Sequence, residues 1–293
     1  MVPNTNDGSQ NPPRLRIDLN LGVLHDLPPW SKAPCGECPE MYSHARSAGY
    51  DGFQGGDAAA CRVAGLGATA MGRVNKPGEA YEIACKLRDA GYDAITLHVG
   101  TELESDDDTF RVAEDIVLAS ARAGFPMYIE THRATITQDM WRTIQLARRL
   151  PEIRFNADYS HWYTGHEMVY GDLECKWLLL EVVFERTRFM HGRIGNSGSM
   201  QVDIGDGKSG ANVGHFREMW TRSMMGFLRT AKPGDYLVFA PEVLKSEINY
   251  ARVFPGPDGK PREETDRWEQ SFVLRRIAQE CFTEARSRLE RKS

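Results

Sequence analysis

The chain has 293 residues, 41% of them hydrophobic, with 41 acidic against 36 basic side chains and a net charge of −5. That is enough apolar material for a sizeable core and suits one α/β barrel or two smaller domains. The acidic balance and the lack of a dense Lys/Arg run argue against a nucleic-acid surface, and no apolar run reaches the roughly 18 residues of a membrane-spanning helix.

The opening MVPNTNDGSQNPP has neither the basic nor the apolar part of a signal peptide, and its polar, Pro-rich composition predicts a flexible tail over residues 1–13. Six cysteines do not make a disulfide scaffold in a chain of this length, and a reduced, cytoplasmic protein is the simplest expectation. Cys35 and Cys38 form one CxxC, either a metal or redox half-motif or two ordinary loop thiols, with no second pair at a zinc-like spacing.

The first strand is expected over 14–20 (RLRIDLN), followed by a loop carrying Pro28, Pro29 and Trp30. A helix over 40–47 leads into a second strand at 50–54 (YDGFQ), and 62–69 (RVAGLGAT) reads as a third. Pro77 opens a helix in which Ala80, Ile83, Ala84 and Leu87 share one face, and Gly91 stops it before a fourth strand at 92–98 (YDAITLH). Asp106, Asp107 and Asp108 read as the acidic start of a helix to about Arg122 rather than as a calcium loop. Residues 127–130 form strand five. Thr137 is placed to cap the next helix, and 153–157 form strand six. A helical pattern spans 168–185, strand seven covers 187–190, and the Gly-rich stretch 195–214 reads as a lid-like loop. A helix over 216–231, strand eight at 235–240, and a last helix over 268–289 complete the chain. Eight strands, nearly each followed by a helix and with no composition break, predict a single (β/α)8 TIM barrel over 14–293.

Four consecutive strand-like runs deliver ligand-type residues near their C-terminal ends: Glu130 (FPMYIETHR), Asp158 (IRFNADYSH), His191 (TRFMHGRIG) and Glu242 (DYLVFAPEV). In a parallel barrel those ends converge on one mouth. Three carboxylates brought together repel one another unless a cation lies between them. An oxygen-rich set with one imidazole favours Mn²⁺ first, with Mg²⁺, Co²⁺ or Zn²⁺ as alternatives. Such a site suits a sugar or small polyol whose carbonyl and neighbouring hydroxyl chelate the cation. Glu130 and Glu242, three strands apart, would then move a proton beside the carbonyl through an enediolate. Trp30 and Trp162 are placed to stack on a sugar ring or to pack the barrel top, and Arg133 reads equally as an anion clamp or a structural ion pair.

The motifs LHVG (97–100), IETH (129–132), DYSH (158–161), MHGRIG (190–195) and APE (240–242) resemble the xylose-isomerase-like superfamily of metal-dependent sugar isomerases and epimerases. The resemblance implies a barrel with the metal on Glu130, Asp158, His191 and Glu242, the two glutamates doubling as acid and base. It also implies substrate contacts from His161 and from an arginine after the metal histidine. Here that arginine is Arg193, closer to the histidine than in the epimerases. His98 resembles the HPG histidine of the abasic-site nuclease branch, with Val99 in place of proline. It is a second-metal ligand, a substrate contact or a rim histidine. Relatives commonly form dimers or tetramers, so a homo-oligomer is expected by analogy. A lyase or dehydratase acting on a keto-sugar, inosose or keto-glycoside would use the same site. The nuclease reading is disfavoured: strand three brings no histidine, and Asp203-Ile204-Gly205 lacks the paired histidine of that branch.

Overall fold

A computed structural model describes residues 1–34 and 40–291, so Cys35 and Cys38 lie outside the described residues. The chain order is β1 (Arg14–Asn20), α1 (Met41–Ser47), β2 (Gly52–Gln54), α2 (Ala58–Val63), β3 (Gly67–Val74), α3 (Ala80–Ala90), β4 (Ala94–Val99) and α4 (Asp106–Ala123). Next come β5 (Met127–Glu130), α5 (Met140–Arg149), β6 (Phe155–Ala157), α6 (Tyr159–Gly165), α7 (Leu173–Phe184), β7 (Thr187–Gly192), α8 (Ala211–Leu228) and β8 (Tyr236–Pro241). A small hairpin, β9 (Val253–Pro255) and β10 (Pro261–Glu263), precedes α9 (Arg267–Glu290). Strands β1 to β8 pair in sequence order, all parallel, and β1 closes on β8 with Arg14 opposite Tyr236 and Ile17 opposite Phe239. The fold is a single-domain (β/α)8 barrel.

Local chemistry sets the element ends. Ser105 caps α4 by accepting from the Asp108 N–H, and the three acidic residues of its first turn face the positive end of the helix dipole. Gly91 and Gly124 end α3 and α4 in the left-handed conformation that glycine adopts without strain. The third strand begins later than its composition suggests. Asp57 caps a short helix over 58–63, and the strand runs 67–74 instead of 62–69, because pairing with β4 from Thr69 to Val74 outweighs a weak local preference. The expected helix over 168–185 is α7 alone, starting at the Asp172 cap. Asp139, not Thr137, caps α5, and the last four residues of the Gly-rich stretch, 211–214, are already α8.

The N-terminal segment is not a free tail. Val2 is buried, the Thr5 N–H donates to the Tyr128 hydroxyl at 3.0 Å, and the Thr5 carbonyl accepts from Tyr236 N–H at 3.0 Å. Asn4 and Asn6 donate to the two Asp235 carboxylate oxygens at 2.8 and 2.7 Å. Residues 2–6 therefore cover the end of the barrel opposite the mouth, since side-chain amides satisfy buried backbone and carboxylate groups that a disordered tail would leave to water.

Polar side chains run up the barrel interior on the inward positions of alternate residues. At the lower end Arg16 grips Asp18 with two bonds of 2.7 Å, and its third nitrogen reaches Asp93 at 2.6 Å and the Tyr236 hydroxyl at 2.9 Å. Space for this pair comes from Gly52 and Gly67, where a Cβ would stand 2.4 Å from Asp18 Oδ1 and 2.5 Å from Arg16 Nη1. The pair is fully desolvated, so removing one member strands a buried charge. Asp18→Ala is expected to lower stability by about 3–5 kcal/mol, with much of the loss regained in Arg16→Met/Asp18→Leu. Chemical denaturation measures this, and a single-variant loss below about 1 kcal/mol would contradict it.

Candidate metal centre

Glu130 ends β5, Asp158 follows β6, His191 lies near the end of β7, and Glu242 follows β8. One ligand atom from each falls within 4.8 Å of the others, and none of the four residues is more than 7% exposed. His191 Nδ1 stands 3.4 Å from Glu130 Oε1, 3.1 Å from Glu242 Oε2 and 3.9 Å from Asp158 Oδ2. The four residues singled out in the sequence are thus one constellation at one mouth.

A neighbouring group occupies the other polar atom of each residue and so aims it. Asn156 Nδ2 donates to Glu130 Oε2 at 3.0 Å, and Asn20 Nδ2 donates to Glu242 Oε1 at 3.0 Å. Asp158 caps α6: its Oδ1 accepts from the Ser160 N–H at 3.0 Å and the Ser160 hydroxyl at 2.6 Å. Gln54 donates through its nitrogen to Thr96 Oγ1 at 2.9 Å, which leaves its oxygen to accept from His191 Nε2, also at 2.9 Å. That hydrogen bond places a proton on Nε2 and makes Nδ1 the nitrogen that faces the carboxylates.

Burial disfavours charge on every one of these groups, so the shifts report how far neighbours offset it. For His191, Glu242 and Glu130 more than offset burial and raise its pKa well above the usual imidazole value. For Glu130, burial is outweighed by His191 and His98, and the carboxyl stays ionised well below its normal range. Glu242 is lowered against burial by His191 and Arg193. For Asp158 burial wins over Arg193 and the pKa is raised. Arg193 is buried, bonds Asp158 Oδ2 through Nη2, and stands 3.2 Å from Glu242 Oε2 through Nη1. The donor set is three carboxylates and an imidazole, dry and aimed at one point. It fits a divalent cation of the Mn²⁺, Mg²⁺, Co²⁺ or Zn²⁺ kind, whose charge together with that of Arg193 would balance the three carboxylates.

The other sequence candidates divide. His98 Nε2 lies 3.4 Å from Glu130 Oε1 at the rim. It heads a row of imidazoles: His98 to His132 is 4.0 Å between ring centroids, and His132 to His161 is 3.8 Å. Burial lowers His132 to about 4 and His161 well below the usual value, so both rings are neutral at pH 7. His161 is buried, its Nε2 3.5 Å from Asp158 Oδ2 and its Nδ1 without a hydrogen-bond partner among the described residues. Arg193 belongs to the cluster itself, committed to two of the carboxylates. Trp162 is not an open stacking face. It lies in α6 at 0% exposure and its indole N–H donates to the Thr137 carbonyl at 2.9 Å, because the helix that follows Asp158 turns this residue into the core. Arg133 is exposed and forms no ion pair among the described residues. Its guanidinium lies 5.0 Å from the Tyr250 ring centroid. Asp203 is outside the cluster and accepts from Gly205 N–H and Gln270. Four further residues at the site carry no motif in the sequence: Asn20, Gln54, Asn156 and Tyr250. The first two had a signal of the same kind as the ligands, each being the final residue of an expected strand.

Neither a family model nor a curated protein matches the chain in sequence. Solved structures do match in shape. A xylose isomerase-like TIM barrel protein from Mycobacterium smegmatis in complex with magnesium superposes with a TM-score of 0.52 at 11% identity, over 91% of this chain and 97% of that one. D-allulose 3-epimerase from Methylomonas sp. in complex with D-allulose gives 0.50 at 13% identity, over 82% and 88%. The probable 3-DHS dehydratase involved in petrobactin synthesis in Bacillus anthracis gives 0.50 at 13% identity, over 80% and 94%. The chain shares with them the (β/α)8 barrel, and likeness at these identities is one of fold. No helix among the described residues is long and apolar enough to cross a membrane.

The bond from His191 to Gln54 generates a direct expectation. Gln54→Leu leaves the His191 ring without its acceptor and should weaken Mn²⁺ binding by about 10- to 100-fold with the fold retained. Calorimetric titration reads this, and unchanged affinity would show that the ring is held by packing alone. Because the raised pKa of His191 keeps a proton on the ring that a cation must expel, apparent Mn²⁺ affinity should climb with pH, by up to about tenfold per unit while the ring is still protonated. A flat profile between pH 6 and 8 would contradict that.

Proposed function

We propose that the protein is a divalent-metal-dependent sugar isomerase or epimerase that moves a proton next to a carbonyl on a small sugar or polyol. One observation carries the reading: Glu130, Asp158, His191 and Glu242 converge within 4.8 Å in a buried mouth. A cation bound there supplies Lewis acidity, polarising the substrate carbonyl and acidifying the adjacent C–H. Everything else falls to the chain's own side chains. Glu130 and Glu242 approach from strands three places apart around the barrel, one on each face of a ligand lying across the mouth. Each turns one oxygen into the cluster and holds the other against an amide N–H, from Asn156 and Asn20 respectively. The amide occupies one lone pair of that oxygen and fixes its direction, while the second lone pair remains to take or return a proton. One glutamate removes the proton to give the enediolate, and the other returns one from the opposite face. Arg193, held between Asp158 and Glu242, stabilises the negative charge that develops. His161 Nδ1 and the His98 ring are within the same mouth to receive substrate hydroxyls.

The likeness to an epimerase holding D-allulose and to a magnesium-bound barrel supports this reading. A second reading is supported by the dehydratase neighbour and by the imidazole row: elimination of a β-oxygen after the same enolisation, on a keto-sugar, inosose or keto-glycoside. Both readings use Glu130 and Glu242.

Incubation of Mn²⁺-loaded protein with D-allulose, D-tagatose, inososes and keto-glycosides in D₂O separates them. Deuterium appearing at carbon without loss of water supports isomerase or epimerase, whereas release of water or aglycone supports the lyase. Neither event on any compound would reject both for these substrates. Glu130→Gln and Glu242→Gln should each lower the exchange rate by at least about 10³-fold while the circular dichroism spectrum stays the same. Exchange near the wild-type rate in both variants would remove the glutamates from the proton transfer. Prolonged chelation should abolish exchange and added Mn²⁺ or Co²⁺ should restore it, and activity that survives chelation would contradict the metal dependence.

A further inference from the structure

Tyr250 is an aromatic residue at the mouth that the cluster does not use. It stands on the loop between β8 and β9, eight residues after Glu242. Its ring centroid is 4.5 Å from the Arg193 guanidinium and 5.0 Å from that of Arg133. The His161 ring meets it edge-on at 6.3 Å and 83°, and its hydroxyl lies 3.4 Å from His132 Nε2. Arg193 is buried and bonded to Asp158 and Glu242, while Arg133 is exposed. Tyr250 therefore spans from the cluster to the surface.

The means of holding the ring are weak. Tyr250 belongs to no strand or helix, and its side chain is fixed by two cation–π contacts, one aromatic edge and one long hydrogen bond. Contacts of this kind keep a ring in place most of the time without locking it. The ligand atoms behind it are almost completely shielded from water. The phenol ring stands between the exposed Arg133 and the buried Arg193, so a cation or a polyol entering between those two arginines meets it.

We propose that Tyr250 is the movable, substrate-contacting cover of this site. Its ring shields the cation from solvent, and its hydroxyl, which donates to His132 Nε2, accepts from a hydroxyl of the bound polyol. The proposal rests on the metal-dependent polyol reading given above. Removal of the ring opens the mouth. Removal of the hydroxyl alone keeps the mouth closed and costs one hydrogen bond to the substrate.

The test loads wild type, Y250F and Y250A with Mn²⁺, measures bound Mn²⁺, and follows its loss to excess EDTA. All three should hold the same amount, Y250A should release it about tenfold faster, and Y250F should release it at the wild-type rate. Equal rates in wild type and Y250A, or release from Y250F as fast as from Y250A, would overturn the cover. Should none of the three retain Mn²⁺, the metal-dependent reading itself fails, which is a separate result. On the ketose that exchanges deuterium fastest, Y250F should raise KM roughly 3- to 10-fold with kcat within about twofold of wild type. An unchanged KM would overturn the substrate contact, and because Y250F retains the ring and its packing, that outcome cannot be attributed to misfolding.

Discussion

The structure depends on managing repulsion. Three carboxylates in a dry mouth would drive one another apart or take up protons. They are held instead by opposite charge and by neutral amides. Arg193 lies between Asp158 and Glu242, and His191 stands within 3.4 Å of both glutamates. Asn20, Gln54, Asn156 and Ser160 add no charge and take up the remaining polar atoms. The result is a pocket of directed electron pairs, and a divalent cation is the partner that such a pocket fits. The same arrangement fixes which atoms face inward: Glu130 Oε1, Asp158 Oδ2, His191 Nδ1 and Glu242 Oε2.

The barrel makes this possible because its strands share one direction. Inward positions recur every second residue, so one strand can contribute at several depths. On β1, Arg16 and Asp18 form the lower ion pair and Asn20 reaches the mouth. On and beyond β6, Asn156 orients Glu130 and Asp158 joins the cluster. A register shift between β6 and β7 sets Asn156 opposite Phe189, skipping Arg188, at the level where the ligands begin. Stability and the site are thus drawn from the same inward rows, with the buried ion pair at one end and the ligand cluster at the other.

The alternation of apolar runs with helical stretches was enough to reach an eight-stranded barrel. The ligands were readable because each ends an apolar run, and the ends of parallel strands converge whatever the details of packing. The failures have local causes. Residues 62–69 are rich in alanine and glycine, so their strand and helix preferences nearly cancel, and the cap at Asp57 with pairing to β4 decides the outcome. The first residues look like a tail because their amides are polar, but those amides find Asp235 and Arg188 across more than 180 residues of chain. Trp162 reads as a mouth residue from its place after DYSH, and only the course of α6 shows that it points into the core. Tyr250 carries no pattern at all; its contacts with Arg133, Arg193 and His161 come from three other strands' ends.

The central claim concerns a place in space, and X-ray diffraction can test it directly. Crystals grown with Mn²⁺ and measured at the manganese absorption edge should show one strong anomalous peak inside the barrel mouth, bonded to Glu130, Asp158, His191 through Nδ1, and Glu242. Full Mn²⁺ occupancy at some other set of residues, or a mouth that stays free of anomalous signal at saturating Mn²⁺, would contradict the account.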